Sequence, residues 1–311
     1  MDRILSLRRL SALLGKSPAR LKEIAAELDA DSRSHYTEFM QRSKKNPNKI
    51  RKITAPKPEL KEIQNRLHAH IRKIELSESV HGGVRGKSPR SNAEQHLGQP
   101  WVVNVDVKDF YPSVSNTEVN RMFRRLGWGA DVARLVTRLT TVDGAVPQGA
   151  PTSTAIANLV LANIDNRLPA EGEKLGSRNT RFVDDYTFSG TNPMPLIQYV
   201  GRGLSARGLK IYRKNAKFQS KPKLRITPAS RRQEVTGLVV NSRRGPSVSR
   251  TYRDNVKAAI FSLGTISNPI VLREAINSIN GKIAHVRKFN PGSAKRLQCY
   301  LAKFSNPTSR S

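Results

Sequence analysis

The 311 residues are enough for one large core or two modest domains, and 55 Lys and Arg against 24 Asp and Glu leave a formal net charge of +31. Such an excess is too large for an ordinary globular enzyme and typical of a chain that binds a polyanion. Lone Cys299 excludes an internal disulfide and a cysteine metal cluster, no apolar run approaches the roughly 20 residues of a membrane span, and Arg8-Arg9 make the amino terminus a poor signal peptide, so a reducing cytoplasm is the expected setting.

The periodicity predicts helices over residues 2–14 and 18–28, with Ser17 as cap and Pro18 in the first helical position of the second. They read as packing helices rather than a DNA-binding helix-turn-helix. Arg42 to Lys52 is rich in Lys, Arg and Asn and contains no acid, and residues 60–76 form an amphipathic helix. His81-Gly-Gly-Val-Arg-Gly-Lys-Ser-Pro-Arg90 reads as a flexible basic loop able to close over a substrate. Trp101 to Val107 is an apolar, β-branched strand candidate, expected to be buried and ended by Pro112. Asp106 lies inside it, where an unpaired charge is costly, and Asp109 lies near its exit.

Two prolines flank Gln148-Gly149 in a stiff turn, followed by the N-cap candidates Thr152 and Ser153 and a helix with Ile156, Leu159, Val160 and Ile164 on one face. A helix start beside a glycine turn suits a nucleotide phosphate. Thr180 to Gly190 is a β-forming run interrupted by Asp184-Asp185, which predicts a hairpin with both acids at its turn. Neighbouring carboxylates repel and are tolerated beside a divalent cation. Two strands delivering Asp106 and Asp184-Asp185 to one place would make a site for two Mg²⁺ ions, roughly 3.5–4 Å apart, that serves phosphoryl transfer. Each segment alone has a bland reading too: turn chemistry for the Asp pair, a solvent-facing Asp106 on a half-buried strand, an ordinary capped helix.

From Arg207 to Arg232 there are ten Lys and Arg and no acid, and from Asn241 to Ser311 thirteen against Asp254 and Glu274. With phosphoryl-transfer chemistry in the same chain, these runs read as contacts to a polyanion rather than solvated faces. Helices are expected over residues 252–263, 271–286 and 294–304.

Phe182-Val-Asp-Asp185 resembles the tyrosine-x-Asp-Asp box of reverse transcriptases, with Phe182 in place of the usual tyrosine and Val183 in place of the alanine common in bacterial members. Asn104-Val-Asp-Val-Lys-Asp-Phe-Tyr-Pro-Ser113 is similar to the first catalytic motif of that family, and Pro147-Gln-Gly-Ala-Pro-Thr-Ser153 to its proline-glutamine-glycine motif. Ser91-Asn-Ala-Glu-Gln-His96 matches the asparagine-alanine-x-x-histidine motif of bacterial retron reverse transcriptases, and Val235-Thr-Gly237 their valine-threonine-glycine box. Arg51-Lys-Ile-Thr-Ala-Pro56 looks like the opening fingers segment, so the resemblance spans about residues 45–300.

The resemblance implies an α+β right-hand polymerase: an N-terminal helical segment over 1–45, fingers over 46–95, a palm with interleaved fingers elements over 96–240, and a basic helical thumb over 241–311. It implies Asp106, Asp184 and Asp185 as catalytic residues that hold two Mg²⁺ ions with the Val107 carbonyl. Tyr111 stands at the steric-gate position under the sugar, with Phe110 as the other candidate. Gln148 matches the nucleotide-contacting glutamine, and Lys217, or else Lys214, the phosphate-contacting lysine. RNA contacts fall to Asn92, His96, Val235, Thr236 and Gly237, and to the basic residues Arg250, Arg253, Lys257, Lys282, Arg287 and Lys288. Implied partners are dNTPs, a cognate structured noncoding RNA, the RNA–DNA hybrid product and an accessory effector protein in anti-phage defence, with no membrane. Two other readings are an intron-derived or diversity-generating reverse transcriptase, and an RNA-binding scaffold with an idle site.

Overall fold

The structure, a computed structural model, describes residues 3–43, 46–212 and 224–305. Two compact units divide the chain, one built from residues 1–88 and 103–226, the other from 89–102 and 227–311. This partition is coarser than the four segments expected from sequence, and it is bounded differently.

In the first unit, α1 (Leu7–Leu14) starts where the Ser6 hydroxyl accepts from the Arg9 amide, five residues later than the apolar pattern suggested. Helix α2 (Pro18–Ala30) starts as expected, with the Ser17 side chain accepting from the Arg20 amide and Pro18 in the first turn. Strands β1 (Tyr36–Ser43) and β2 (Asn46–Pro56) form an antiparallel hairpin in which Tyr36 faces Pro56 and Phe39 faces Ile53. Helix α3 (Pro58–Ile71) buries Leu60, Ile63, Leu67 and Ile71 and stops where that stripe stops, short of the expected Leu76. Buried Gln64 on α3 donates to the Tyr36 hydroxyl and to the Leu139 carbonyl, which ties three elements of the core together.

The chain then runs through α4 (Pro89–Glu94) of the second unit and β3 (Trp101–Asp106), α5 (Phe110–Ser113), α6 (Asn116–Arg125), α7 (Ala130–Thr140), α8 (Ser153–Lys174), β4 (Ser177–Phe182), β5 (Asp185–Gly190), α9 (Pro195–Ser205) and β6 (Arg225–Pro228). The sheet order is β4-β5-β3-β6. Strand β3 is half-buried rather than enclosed: Val103 and Val105 enter the core, while Asn104 and Asp106 share the more open face. Pro112 does not end it; it sits inside α5, and the chain turns earlier, at Asp109, whose φ of 43° is left-handed. Helix α8 packs on β4, α6 and α9, and Phe123 of α6 stacks 4.8 Å from buried Trp128.

The second unit holds α4, the short strands β7 (Glu234–Val235) and β8 (Leu238–Val239), and three helices: α10 (Arg250–Phe261), α11 (Pro269–Arg287) and α12 (Pro291–Ser305). Its core joins Ala93 and Val102 to Val235, Leu238, Val256, Ile260, Ile279, Ile283 and Leu297. Buried Gln233 donates to the carbonyls of Gln99 and Thr227. Among the described residues, no helix is long and apolar enough to cross a membrane.

Truncating Phe123→Ala empties a fully buried site and is expected to lower the unfolding free energy by about 3–5 kcal/mol, read from the denaturant midpoint.

Candidate active site

Strands β4 and β5 pair from Ser177↔Gly190 up to Phe182↔Asp185, which leaves Val183 and Asp184 as the two-residue turn and Asp185 as the first residue of β5. Val183 takes φ 60°. That region suits glycine, and a β-branched residue held there costs about 1–3 kcal/mol. Asp184 is half-exposed and Asp185 exposed.

The neighbouring strand completes the site. The Val107 amide donates to the Asp184 carbonyl at 3.0 Å, and Asn104 Nδ2 lies 3.4 Å from Thr187 Oγ1. The two contacts share one antiparallel register, which sets Asp106 beside Asp185. On the other side of this segment the Tyr212 amide donates to the Asp106 carbonyl, and the Lys108 amide to the Lys210 carbonyl. Phe110 is buried in the core, whereas Tyr111 is half-buried and its hydroxyl lies 2.9 Å from Thr154 Oγ1 at the start of α8. Burial raises the Tyr111 pKa, the Thr154 hydrogen bond opposes this, and the nearby charge of Asp184 adds to it. The Gln148 carbonyl accepts from the Thr54 amide at 2.8 Å, so the glutamine turn rests on β2 with its side chain half-exposed. The expected caps behave otherwise: Thr152 occupies the N-cap without a side-chain bond to the helix, and Ser153 donates to the Pro147 carbonyl.

A buried polar network lies beneath the turn. Arg181 of β4 and Asp165 of α8 are each 1% exposed. Arg181 Nε donates to Asp165 Oδ1 at 3.0 Å, Nη2 donates to Oδ2, and the Tyr186 hydroxyl donates to Oδ1 at 3.2 Å. Arg181 Nη1 donates both to Asn158 Oδ1 and to the Val183 carbonyl, each at 2.8 Å. Asn158 Nδ2 in turn donates to the Gly82 carbonyl at 2.9 Å. Burial opposes the Arg181 charge, but Asp165 more than offsets it and the guanidinium pKa lies above its usual value.

Gly82 makes this proximity possible, because a Cβ there would stand 2.2 Å from the Val183 amide nitrogen. The expected flexible loop is therefore pinned at its start: the Arg181 amide donates to the Ser79 carbonyl, and the His81 amide to the Arg181 carbonyl. Sequence reading missed Arg181, Asp165, Asn158 and Gly82. A readable signal existed, since Asn158 and Asp165 stand seven residues apart on one face of α8, beside buried Leu161 and Leu168 and away from the Ile156 stripe.

The oxygen donors of Asp106, Asp184 and Asp185 fit a hard divalent cation such as Mg²⁺. Among the described residues, no three His, Cys, Asp or Glu side chains already stand as a metal cage. Lys214 and Lys217 lie outside the described residues.

In the second unit, Thr236 and Gly237 are the central pair of the β7–β8 hairpin, with φ 48° and 84°. Both being positive makes a type I′ turn, and the Thr236 hydroxyl donates to the Pro89 carbonyl at 2.8 Å. Gly237 is exposed, but Asn92, His96 and Val235 are fully buried. As folded, these three side chains offer nothing to an RNA surface; they shape the core beneath the turn. Arg250, Arg253 and Lys257 meet Arg296 and Tyr300 around a cleft of about 400 Å³ between α10 and α12. Arg253 Nη1 donates to Ser293 Oγ at 2.9 Å, and Lys257 Nζ lies 5.6 Å from the centre of the Tyr300 ring. Lys282, Arg287 and Lys288 are exposed and lie outside that cleft.

Residues 43–225 match the family described as reverse transcriptase (RNA-dependent DNA polymerase). The retron Mx162 reverse transcriptase of Myxococcus xanthus is 30% identical over 98% of this chain and 68% of its own length. The retron Mx65 reverse transcriptase of the same organism is 32% identical over 93% and 69%. The chain belongs to the retron reverse transcriptases. A third relative, the retron Ec86 reverse transcriptase of Escherichia coli, is 27% identical over 84% of this chain and 78% of its own. This retron reverse transcriptase is thus an RNA-directed DNA polymerase, taking an RNA template and yielding DNA. Its family is built from palm, fingers and thumb and generally uses divalent metal ions.

Removing one partner of the Arg181–Asp165 pair strands a buried charge, so Asp165→Ala is expected to cost the reverse transcriptase about 3–5 kcal/mol of stability by chemical denaturation. Burial, with Lys87 nearby, lowers the His81 pKa to about 4 against a weaker opposing effect of Glu78. A folded value below the unfolded one means stability is lost as pH falls from about 6.5 towards 4. An NMR titration should place the His81 midpoint near 4, with unfolding free energy decreasing across that window.

Proposed function

We propose that this reverse transcriptase copies part of a cognate structured noncoding RNA into single-stranded DNA, primed from a 2′-hydroxyl of a guanosine in the same RNA. The product would be a branched RNA–DNA molecule, and the enzyme would act with an accessory effector protein in anti-phage defence. The observation that carries the catalytic part is the antiparallel register setting Asp106 beside Asp185, with Asp184 in the adjoining turn. In this reading Asp106, Asp184, Asp185 and the Val107 carbonyl hold two Mg²⁺ ions, which neutralise charge on the attacking and leaving oxygens. The protein's part is to keep three carboxylates in place at the end of a rigid sheet, so that little reorganisation accompanies charge development. The sheet of the first unit supplies the palm, the β1–β2 hairpin a fingers element and α10–α12 the thumb.

The Tyr111 ring supports the steric-gate reading, because Phe110 is committed to the core while Tyr111 stays half-exposed near Asp184. A ring under the deoxyribose leaves no room for a 2′-hydroxyl. Gln148, on the turn against β2, serves as the nucleotide-contacting glutamine, and Lys217, or else Lys214, as the phosphate-contacting lysine. The basic cleft of α10 and α12 suits phosphates of an RNA stem, with Thr236 and Gly237 presented on a tight turn nearby in sequence. Phosphate contacts carry no sequence information, so the choice of RNA rests on stem shape or loop bases.

The deciding assay is dNTP incorporation on a primed RNA template. Asp185→Asn preserves shape but removes charge, and synthesis is expected to fall by about 10³-fold or more while RNA binding persists; near-normal synthesis would end the assignment. Tyr111→Ala is expected to raise ribonucleotide relative to deoxyribonucleotide incorporation. Unchanged selection there, with selection lost in Phe110→Ala, would move the gate to Phe110.

A further inference from the structure

The carboxylate turn is held in a conformation that its own sequence disfavours. Val183 sits at φ 60°, and its backbone is gripped from two sides. Arg181 Nη1 donates to the Val183 carbonyl from beneath, while Gly82 lies so close that a Cβ would overlap the Val183 amide nitrogen. Both grips converge on one residue of α8: Asn158 accepts from the same Arg181 Nη1 and donates to the Gly82 carbonyl. Asp165, two helical turns further along α8, fixes the rest of the guanidinium through Nε and Nη2 and is itself bound by Tyr186.

A plain stabilising ion pair needs only Arg181 and Asp165, and such a pair is often no better for stability than apolar packing. This one spends its remaining nitrogen on two acceptors placed around the strained turn. A planar guanidinium with donors in a fixed fork can hold a carboxylate on one edge and two further oxygens on another, which a lysine ammonium cannot do with the same directions.

We propose that Arg181, Asp165 and Asn158 are positioning residues for the reaction: their buried network keeps Val183 left-handed and so aims Asp184 and Asp185 at the metal and substrate. The proposal rests on the assignment of those carboxylates to catalysis. None of the three touches substrate; each acts through the turn. Groups that support metal-binding carboxylates in this way typically matter by about 10- to 100-fold in activity.

The test is a double-mutant cycle between Asn158 and Val183 in the full chain, read by single-nucleotide incorporation on a generic primed template. Asn158→Ala removes both bonds at the hub while leaving the Arg181–Asp165 pair intact, and kcat is expected to fall by about 10- to 100-fold with KM for dNTP little changed. Glycine adopts the left-handed region freely. In a Val183→Gly background the same Asn158→Ala change is therefore expected to cost less than about threefold, because the turn no longer needs to be forced. Asn158→Asp, equal in size and still able to accept from Arg181 but unable to donate to Gly82, gives an intermediate loss and serves if the alanine variant does not fold. Arg181→Lys is expected to lose kcat like Asn158→Ala.

Equal fold losses in the native and Val183→Gly backgrounds, or an Asn158→Ala enzyme with normal kcat, would overturn the positioning role. The Asp185→Asn enzyme separates the two levels. If it is inactive and the cycle is additive, only the positioning role fails; if it is active, the carboxylate assignment itself fails.

Discussion

The buried pairing of Arg181 with Asp165 is the constraint on which the first unit's site depends. Two opposite charges, each 1% exposed, are costly to bury and are retained only if most of their hydrogen-bonding capacity is met. Here Asp165 accepts from Arg181 and Tyr186, and Arg181 reaches Asn158 and the Val183 carbonyl. The pair therefore links the middle of α8 to the last turn of β4. Because α8 packs on β4, α6 and α9, the hairpin tip inherits the rigidity of the helical layer. Asp184 and Asp185 sit at that tip, half-exposed and exposed.

The same economy recurs in the second unit on a smaller scale. The Thr236-Gly237 turn also holds a β-branched residue left-handed, and a side-chain bond to the Pro89 carbonyl anchors it. Beneath it lie buried Asn92, His96 and Val235. Of the residues that the motifs mark for recognition, these three are thus interior, and Thr236 and Gly237 lie on the turn. The basic cleft of Arg250, Arg253, Lys257 and Arg296, with the aromatic Tyr300, carries the charge that a phosphate backbone needs.

Much of the site was legible in the sequence, and what was not has physical causes. The Asp184-Asp185 hairpin could be read because strand-forming residues on both sides leave only the acids for the turn. Asp106 was legible as a carboxylate in a strand, but the strand's half-burial was not, since Val-Val-Asn-Val-Asp-Val fits either an enclosed or a one-sided strand. Arg181 was overlooked because a charged residue in a β run reads as solvent-facing. Only its partner sixteen residues earlier, on another element, makes its burial possible, and single-segment periodicity carries no information about such pairs. The β1–β2 hairpin was hidden because Phe39, Met40 and Ile50 are exposed, so its strands lack the alternation that marks a half-buried sheet. Helix α3 ended early because its apolar stripe, rather than its composition, sets its length.

On the proposed reading, Asp106, Asp184 and Asp185 hold a divalent cation beside a turn that is strained at Val183. Anomalous diffraction from crystals of the enzyme with Mn²⁺, a primed RNA template and a non-reactive dNTP analogue addresses this most directly. Metal peaks are expected against Asp106, Asp184 and Asp185, with Val183 still left-handed and the Arg181 to Val183 carbonyl bond intact. Metal bound elsewhere, or a turn that relaxes at Val183 once metal and nucleotide are in place, would contradict it.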